Sequence, residues 1–189
     1  LGAITGQAHD ITETLVGTTS NLVIAVNTGR GYYYPDAGAL TEITDVDYPY
    51  NIAGQTVTGT FVHLDGYAFR MTTSGRIYNS DLNSLSSWSA TSFLNAQMYA
   101  DQGIGLSRYK NYIVAFGRET TEFFKNVGNS TGSPLQRENE LFIRIGAVGY
   151  TSITQLEDTI AWVASSATGS HSVYIMENTK PKRISTDEI

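Results

Sequence analysis

Asn111-Tyr112-Ile113-Val114-Ala115-Phe116 gives the clearest indication of the fold, because similar stretches return along the chain at nearly constant spacing. Each is a tight-turn pair followed by an unbroken apolar run, and the other three occupy residues 20–26, 65–69 and 158–163. Taking Ser20, Asp65, Asn111 and Asp158 as equivalent gives spacings of 45, 46 and 47 residues. A fixed period in this range indicates an array of similar structural units.

The apolar runs have the length and composition of buried strands. They are too short for a helix and are rich in Val, Ile, Phe and Tyr. Runs 22–26 and 112–116 are apolar on both faces, which predicts strands with a sheet on either side. Each unit also contains three further candidate strands. One precedes the run (11–16, 59–64, 103–109, 152–156), an aromatic one follows it (32–34, 77–78, 123–124, 173–175), and a weaker one comes last (40–44, 88–93, 135–137, 182–185).

The first two strands of three units are joined by short turns at 65–66, 110–111 and 157–158. Asp65-Gly66 is the strongest hairpin signal, because glycine accepts a positive φ and so suits a two-residue primed turn. In the fourth unit, a longer loop over residues 165–172 separates the second strand from the aromatic one.

Four strands per unit of about 46 residues predict an all-β chain, a β-propeller made of four-stranded antiparallel blades. The blades are expected at about 11–55, 56–100, 101–148 and 149–189. A β-sandwich would show similar turn signals, but the shared offset of the aromatic strand favours the propeller. The chain starts at Leu1 and stops at Ile189 without a closing turn. We therefore expect both ends to be truncated and the four blades to be a fragment of a larger propeller.

Composition narrows the classes of function. The net charge of −6 argues against non-specific electrostatic binding to nucleic acid or to an anionic membrane, because such binding needs clustered Lys and Arg. Lys180, Lys182 and Arg183 form the only dense basic patch. The absence of cysteine excludes disulfides, thiol catalysis and zinc–thiolate sites. No apolar segment reaches 18 residues, so we expect no membrane span and no membrane partner.

No residue set in the sequence forms a recognisable catalytic or metal centre. His9, His63 and His171 lie in different units without a second ligand at suitable spacing. His63 is expected to pack with hydrogen bonds on an inner strand. No Gly-x-Ser-x-Gly elbow is present. We therefore expect no catalytic residues, no metal and no cofactor.

Carboxylate pairs leave one enzymatic alternative open, since glycoside cleavage needs two carboxyl groups in one cleft. The candidates are Asp45 and Asp47, Glu138 and Glu140, and Glu157 and Asp158. Residues 79–88 also loosely match a sialidase-like hairpin motif, but Asn83 replaces its glycine and Trp88 lies seven residues after Asp81, not five.

Four stretches resemble segments of the packaged-DNA stabilisation proteins of short-tailed bacteriophages, the tail accessory or hub family. They fall in the same order with similar gaps, over roughly residues 60–189. One departure is Ile145, which stands where the family has a glycine directly after the arginine. The stretches are Gly75-Arg76-Ile77-Tyr78-Asn79-Ser80-Asp81-Leu82, Glu119-Thr120-Thr121-Glu122-Phe123-Phe124-Lys125-Asn126-Val127-Gly128-Asn129, Arg144-Ile145-Gly146-Ala147-Val148-Gly149-Tyr150-Thr151-Ser152 and Pro181-Lys182-Arg183-Ile184-Ser185-Thr186.

The resemblance implies a non-enzymatic structural protein of the virion tail, made in the cytoplasm of the bacterial host. Its partners would be copies of itself in a ring, the portal and adaptor proteins, and distal tail proteins such as a tailspike or needle. It would help to retain packaged DNA without sequence-specific binding. A carbohydrate-binding or glycoside-hydrolysing propeller is the alternative. Candidate turn and motif positions are Asp65, Gly66, Asn111, Asp158, Asn126, Gly128, Asn129, Arg144, Gly146 and Arg183.

Overall fold

Sixteen strands in four antiparallel sheets make up the computed structural model, which describes residues 3–165 and 171–186. In each sheet the strands pair in chain order, so each sheet is a meander. This confirms an all-β propeller of four-stranded blades. Blade 1 contains β1 (Ala8–Val16), β2 (Thr19–Val26), β3 (Gly31–Pro35) and β4 (Thr41–Glu42); blade 2 contains β5 (Val57–Leu64), β6 (Tyr67–Thr72), β7 (Arg76–Ser80) and β8 (Trp88–Asn95); blade 3 contains β9 (Gly103–Tyr109), β10 (Tyr112–Gly117), β11 (Thr121–Asn126) and β12 (Leu135–Ile143); blade 4 contains β13 (Ile153–Leu156), β14 (Thr159–Ser165), β15 (His171–Glu177) and β16 (Lys180–Arg183).

The hairpin predicted at Asp65-Gly66 is confirmed. Both residues have positive φ angles, 51° and 81°, as a type I′ turn requires. Lys110 and Glu157 take positive φ angles of 54° and 44° at the first position of the equivalent turns. The longer loop predicted over 165–172 lies mostly outside the described residues.

The turn of blade 1 differs from the prediction. Ser20 and Asn21 lie inside β2, where Ser20 pairs with Leu15. The chain reverses earlier, at Gly17-Thr18, and Gly17 supplies the positive φ of 60°. Ser20 was therefore the wrong equivalent, because the hairpin of β1 and β2 extends beyond the apolar run.

The fourth strands also differ in extent from their predicted bounds. The predicted strand at 40–44 is reduced to the two residues of β4. The one at 135–137 continues to Ile143, because β12 resumes pairing with β11 after a register shift between Glu122 and Phe124. The one at 182–185 starts two residues earlier, at Lys180.

The second strands of blades 2 and 3 are buried on both faces. Phe69 of β6 and Ile113, Val114 and Phe116 of β10 are fully buried. In β2 the predicted burial on both faces holds from Val23 to Val26, whereas Leu22 at the start of the run is 42% exposed. Only one side of blade 1 is covered by a neighbouring sheet.

Blades 2 and 3 approach each other closely through their first strands. Gly59 has a φ of 72°, and a Cβ at this position would lie 2.9 Å from the Cα atom of Gly105. Thr58 Oγ1 donates a hydrogen bond to the carbonyl oxygen of Ile104 at 2.8 Å. The buried cluster between these blades contains Val62, Leu64, Phe69, Met71, Ile77, Ala96, Leu106, Ile113, Ala115, Phe124 and Leu135.

Within residues 3–165 and 171–186, one face of blade 1 has no neighbouring sheet. On this open face of blade 1, Ile11 is 61% and Leu15 is 66% exposed, and Leu22 and Tyr34 are also exposed. Leu22 pairs directly with Tyr34, so their side chains share this face.

Blade 4 leaves a similar face uncovered. Its open face carries Leu156, Ala161, Val163, Val173 and Ile175, of which none is fully buried. In the described part of the chain, no hydrophobic cluster contains side chains of both blade 1 and blade 4.

Candidate functional site

The first strands of the four blades surround a cavity of roughly 890 Å³, here called the axial cavity. At one end, Gly59, Gly105 and Tyr150 line it, and at the other end lie the turns that follow these strands. Its volume is in the range of sites that bind small ligands. The repeat therefore creates a shared space at the centre of the four blades.

The turn end of the axial cavity brings several predicted positions together. Asp65 and Gly66 of blade 2 and Asp158 of blade 4 all line it. Arg108 lines it as well, and its Nε atom donates a hydrogen bond to the carbonyl oxygen of Lys110 at 3.0 Å. This end of the cavity therefore carries charges of both signs.

His63 lies on the wall of the axial cavity. Its ring stacks on Phe61 with centroids 6.3 Å apart, and burial lowers its pKa to about 4. Neither ring nitrogen has a hydrogen-bond partner among the described residues. The predicted packing role therefore lacks the expected hydrogen bonds, because the ring faces Phe61 rather than a polar group.

The opposite end of the cavity is where blade 1 meets the chain entering blade 4. The Nε2 atom of His9 lies 3.1 Å from the carbonyl oxygen of Gly59. The His9 ring also contacts Tyr150, with centroids 4.9 Å apart. Tyr150 begins the short 3-10 turn, Tyr150–Ser152, that precedes β13.

Three predicted motif residues, Asn126, Gly128 and Asn129, lie at the end of β11 and in the loop after it, and Asn126 links this region to blade 2. Asn126 Nδ2 donates a hydrogen bond to Asp65 Oδ2 at 3.0 Å, which joins positions 61 residues apart. Asn126 Oδ1 accepts the N–H of Gly128 at 2.9 Å, and Asn129 Nδ2 donates to the carbonyl of Ser133 at 3.0 Å. The hydrogen bond from Asn126 therefore joins blade 3 to the turn of blade 2, and the other two stabilise the loop itself.

The remaining turn and motif positions are separate from this group. Asn111 occupies the second position of the turn after Lys110. Arg183 ends β16, with its Nε atom 3.4 Å from Ser185 Oγ. Neither residue lines the axial cavity.

Arg144 and Gly146 line a second cavity of roughly 540 Å³ between blades 3 and 4, here called the interblade cleft. A Cβ at Gly146 would overlap the backbone of Gly117 and Arg118, so only glycine fits this crossing. The described residues that line the cleft are Tyr99, Arg118, Glu119, Thr120, Arg144, Ile145, Gly146, Ala164, Ser172 and Tyr174.

Sequence reasoning missed Asp101, which fixes one wall of the interblade cleft. Its carboxylate accepts the backbone N–H groups of Arg118 at 3.1 Å, Glu119 at 2.8 Å and Thr120 at 2.9 Å. Asp101 lies in the connection between blades 2 and 3, outside the repeated stretches, so the periodicity gave no signal for it.

Comparison with known proteins identifies the family. A family model described as bacteriophage P22 Gp10, beta-propeller, matches residues 4–189. The chain belongs to this family. The tail hub protein gp10 of Salmonella phage P22 is 32% identical to the chain over 96 residues. That match covers 50% of the chain but only 20% of the P22 protein.

Solved structures agree with the propeller fold. The beta-propeller domain of Cps50 (Swd1) from Myceliophteria thermophila superposes with a TM-score of 0.56 at 11% identity, covering 87% of this chain and 56% of that one. PorZ of Porphyromonas gingivalis gives a TM-score of 0.50 at 11% identity, covering 95% of this chain and 22% of that one. These likenesses show the fold alone.

Arg70 is another residue of this phage propeller that sequence reasoning missed. It is fully buried, and burial lowers its pKa from the usual value for arginine. Its Nη1 atom donates to the carbonyl of Gly59 at 3.0 Å, and its guanidinium lies 4.4 Å from the centroid of the Phe61 ring. A charged residue inside an otherwise apolar run was the signal available in the sequence.

Two of the carboxylates considered for glycoside chemistry, those of Asp45 and Glu138, have structural contacts in this propeller. Asp45 accepts the N–H groups of Asp47 at 2.8 Å and Trp88 at 3.1 Å. Glu138 forms an ion pair with Lys125 at 2.7 Å. Glu157 and Asp158 line the turn end of the axial cavity.

Within residues 3–165 and 171–186, no group of three His, Cys, Asp or Glu side chains is placed to hold a metal ion. In the same ranges, no helix has the length and apolar character needed to cross a membrane.

Proposed function

We propose that this chain is a structural component of a phage virion, acting in the tail hub between the portal–adaptor ring and the distal tail proteins. Membership of the P22 Gp10 propeller family supports this role. In the proposed arrangement, identical copies surround the tail axis and help to retain packaged DNA. In this role the chain binds other proteins and catalyses no reaction.

The observation that carries the proposal is the pair of open faces on blades 1 and 4. Large exposed apolar patches on soluble proteins usually mark interaction surfaces. Ile11 and Leu15 are more than half exposed, although they sit on a sheet built like those of the buried interfaces. A four-stranded sheet of a neighbouring subunit in the tail suits the open face of blade 1, because the sheets of adjacent blades already cover equivalent faces in this way.

Charge is consistent with a tail component that lies close to DNA without adhering to it. The net charge of −6 repels phosphate overall. We infer that the surface facing the tail channel is neutral or acidic. Calculating the surface potential from a structure of the assembled tail tests this, and a strongly basic channel lining would contradict it.

Electron cryomicroscopy of the intact particle that contains this chain tests the role directly. The expected density is a ring of propellers between the portal–adaptor complex and the distal tail. Particles that lack the chain, with all of it found as a soluble monomer in the lysate, would overturn the proposal.

A further inference from the structure

The interblade cleft has two guanidinium groups at its rim. Arg118 follows β10 and Arg144 follows β12, and both side chains are exposed beside the same cavity of roughly 540 Å³. Glu119 also lines the cleft. Two positive charges therefore lie at the cleft, balanced in number by Glu119 and by the Asp101 carboxylate, which is already occupied by three backbone N–H groups, in a chain whose overall charge is −6.

Arg144 is held in place by aromatic neighbours. Its Nη2 atom donates a hydrogen bond to Tyr99 Oη at 2.6 Å, and its Cζ atom lies 4.8 Å from the centroid of the Tyr99 ring. Tyr99 in turn stacks on Phe142, with centroids 5.8 Å apart and the planes 18° from parallel. A guanidinium has five N–H donors, so further donors remain for a ligand.

The backbone beneath the two arginines is equally well fixed. Asp101 anchors the loop that carries Arg118 through three backbone N–H groups. Thr121 Oγ1 donates to the carbonyl of Ile145 at 2.7 Å, and Trp162 Nε1 donates to the carbonyl of Gly146 at 3.2 Å. The cleft is therefore already formed without a ligand, which lowers the entropic cost of binding.

We propose that the interblade cleft binds an acidic peptide segment of a partner protein, whose carboxylates accept hydrogen bonds from Arg118 and Arg144. A planar guanidinium can donate two parallel N–H hydrogen bonds to the two oxygens of one carboxylate. Tyr99 and Tyr174 offer aromatic surface to the rest of the peptide, as is common at protein interfaces. The site does not depend on the proposed tail role, because it follows from the cleft alone.

A carboxylate suits the cleft better than a nucleic-acid backbone. Binding a run of phosphates requires many cations along one surface, and its strength grows with each one. Here two arginines are accompanied by Glu119 at the rim, in an acidic chain. A peptide with a few separated carboxylates can pair with these two arginines. Because it carries few charges, the acidic surface around the cleft repels it only weakly.

Binding of the full-length protein to an immobilised peptide tests the proposal. The probe is a capped peptide of four aspartates that alternate with tyrosine and glycine, and the control peptide has asparagine in place of each aspartate. Saturable binding to the aspartate peptide alone is expected. Equal binding to both peptides, or no binding to either at millimolar protein, would overturn the proposal.

Three variants locate the binding. Arg118→Ala and Arg144→Ala should each weaken binding about tenfold or more, because each removes charge-assisted hydrogen bonds. Arg108→Ala removes an exposed arginine from the axial cavity instead and should leave binding unchanged. Binding that survives both cleft substitutions would place the peptide elsewhere and overturn the assignment.

A conservative variant and two competitors complete the design. Arg144→Lys keeps the positive charge but removes the planar guanidinium with its paired N–H donors. We therefore expect a loss of peptide affinity smaller than that of Arg144→Ala, and wild-type affinity would contradict the need for a guanidinium. Inorganic phosphate and a single-stranded dT oligonucleotide are added as competitors. The concentration of oligonucleotide needed to displace the bound peptide is compared with the concentration of free aspartate peptide needed. If less oligonucleotide is needed, the cleft is a nucleic-acid site and the proposal is wrong.

Discussion

The interface between blades 2 and 3 and the open face of blade 1 are built from the same kind of strand but have opposite surroundings. Ile113 of β10 is fully buried between two sheets, whereas Ile11 of β1 is 61% exposed. The two residues have the same chemistry and both lie on strands of four-stranded blades. The difference shows that the first strand at the open end of the array exposes an apolar side chain of a kind that an inner blade buries, although Ile24, the cross-strand partner of Ile11, remains buried in a cluster with Tyr32.

Charged side chains also differ between the covered interface of blades 2 and 3 and the exposed surface of blade 4. Between blades 2 and 3, Glu122 is buried and its Oε2 atom accepts a hydrogen bond from Arg137 Nε at 2.6 Å. Arg137 Nη2 also donates to the carbonyl of Asn95 in blade 2 at 2.5 Å. On blade 4, the ion pair between Lys182 and Glu177 is exposed. At the covered interface, charged side chains therefore form hydrogen bonds that join the two blades. On blade 4, the charged side chains of the ion pair are exposed to solvent.

Replacing the two isoleucines gives the largest expected difference. Ile113→Ala should lower the free energy of unfolding by about 2–5 kcal/mol, because it leaves a cavity in the core. Ile11→Ala should change it by less than about 0.5 kcal/mol, because the side chain already contacts water. Urea unfolding monitored by tryptophan fluorescence measures both. Similar losses for the two variants would mean that the open face of blade 1 is covered in the isolated chain.

Removing one partner from each ion pair should give a smaller contrast. Arg137→Met leaves the Glu122 carboxylate buried without its cation and should cost about 2 kcal/mol, reduced by the 30% exposure of the arginine side chain. Lys182→Met should leave the unfolding midpoint unchanged, because its pair is open to solvent. A matched loss in both variants would contradict the distinction between covered and open blades.

The pH dependence of His63 should give the smallest effect. With a folded pKa of about 4 and an unfolded value of about 6.5, the unfolded chain takes up the proton first as the pH falls. Stability should therefore drop between pH 6.5 and pH 4, by about 1 kcal/mol from pH 7.5 to pH 5.5. Unfolding of wild type and His63→Leu at both pH values measures this. The same pH dependence in the two proteins would show that another group is responsible.

Much of the fold could be predicted from the sequence because the repeat is local. The turn at Asp65-Gly66 and the buried run around Ile113 depend on neighbouring residues, so period and turn chemistry identify them. Ser20 was misplaced because strand length in the first hairpin is set by pairing with β1 rather than by the apolar run. Leu22 was misjudged because the sequence of a strand does not tell whether a second sheet covers it.

The candidate sites were harder to predict, since they depend on contacts between blades. Asp65 and Asn126 were each identified from a local pattern, but their hydrogen bond joins different blades. Asp101 and Arg118 belong to no shared motif, and only the packing of blade 3 brings them together. The arginines of the interblade cleft likewise lie on separate loops.

Thiol labelling of the open face of blade 1 tests most directly whether that face is covered in the assembled particle. The chain has no cysteine, so Leu15→Cys introduces a single reactive site at a position that is 66% exposed. Leu82→Cys, at a 56% exposed position between β7 and β8 and away from the open face, provides the matched control. We predict rapid labelling of Leu15→Cys in the isolated chain and strong protection in the particle, with the control site still reactive. Equal labelling of Leu15→Cys in both states would contradict a structural role carried by that face.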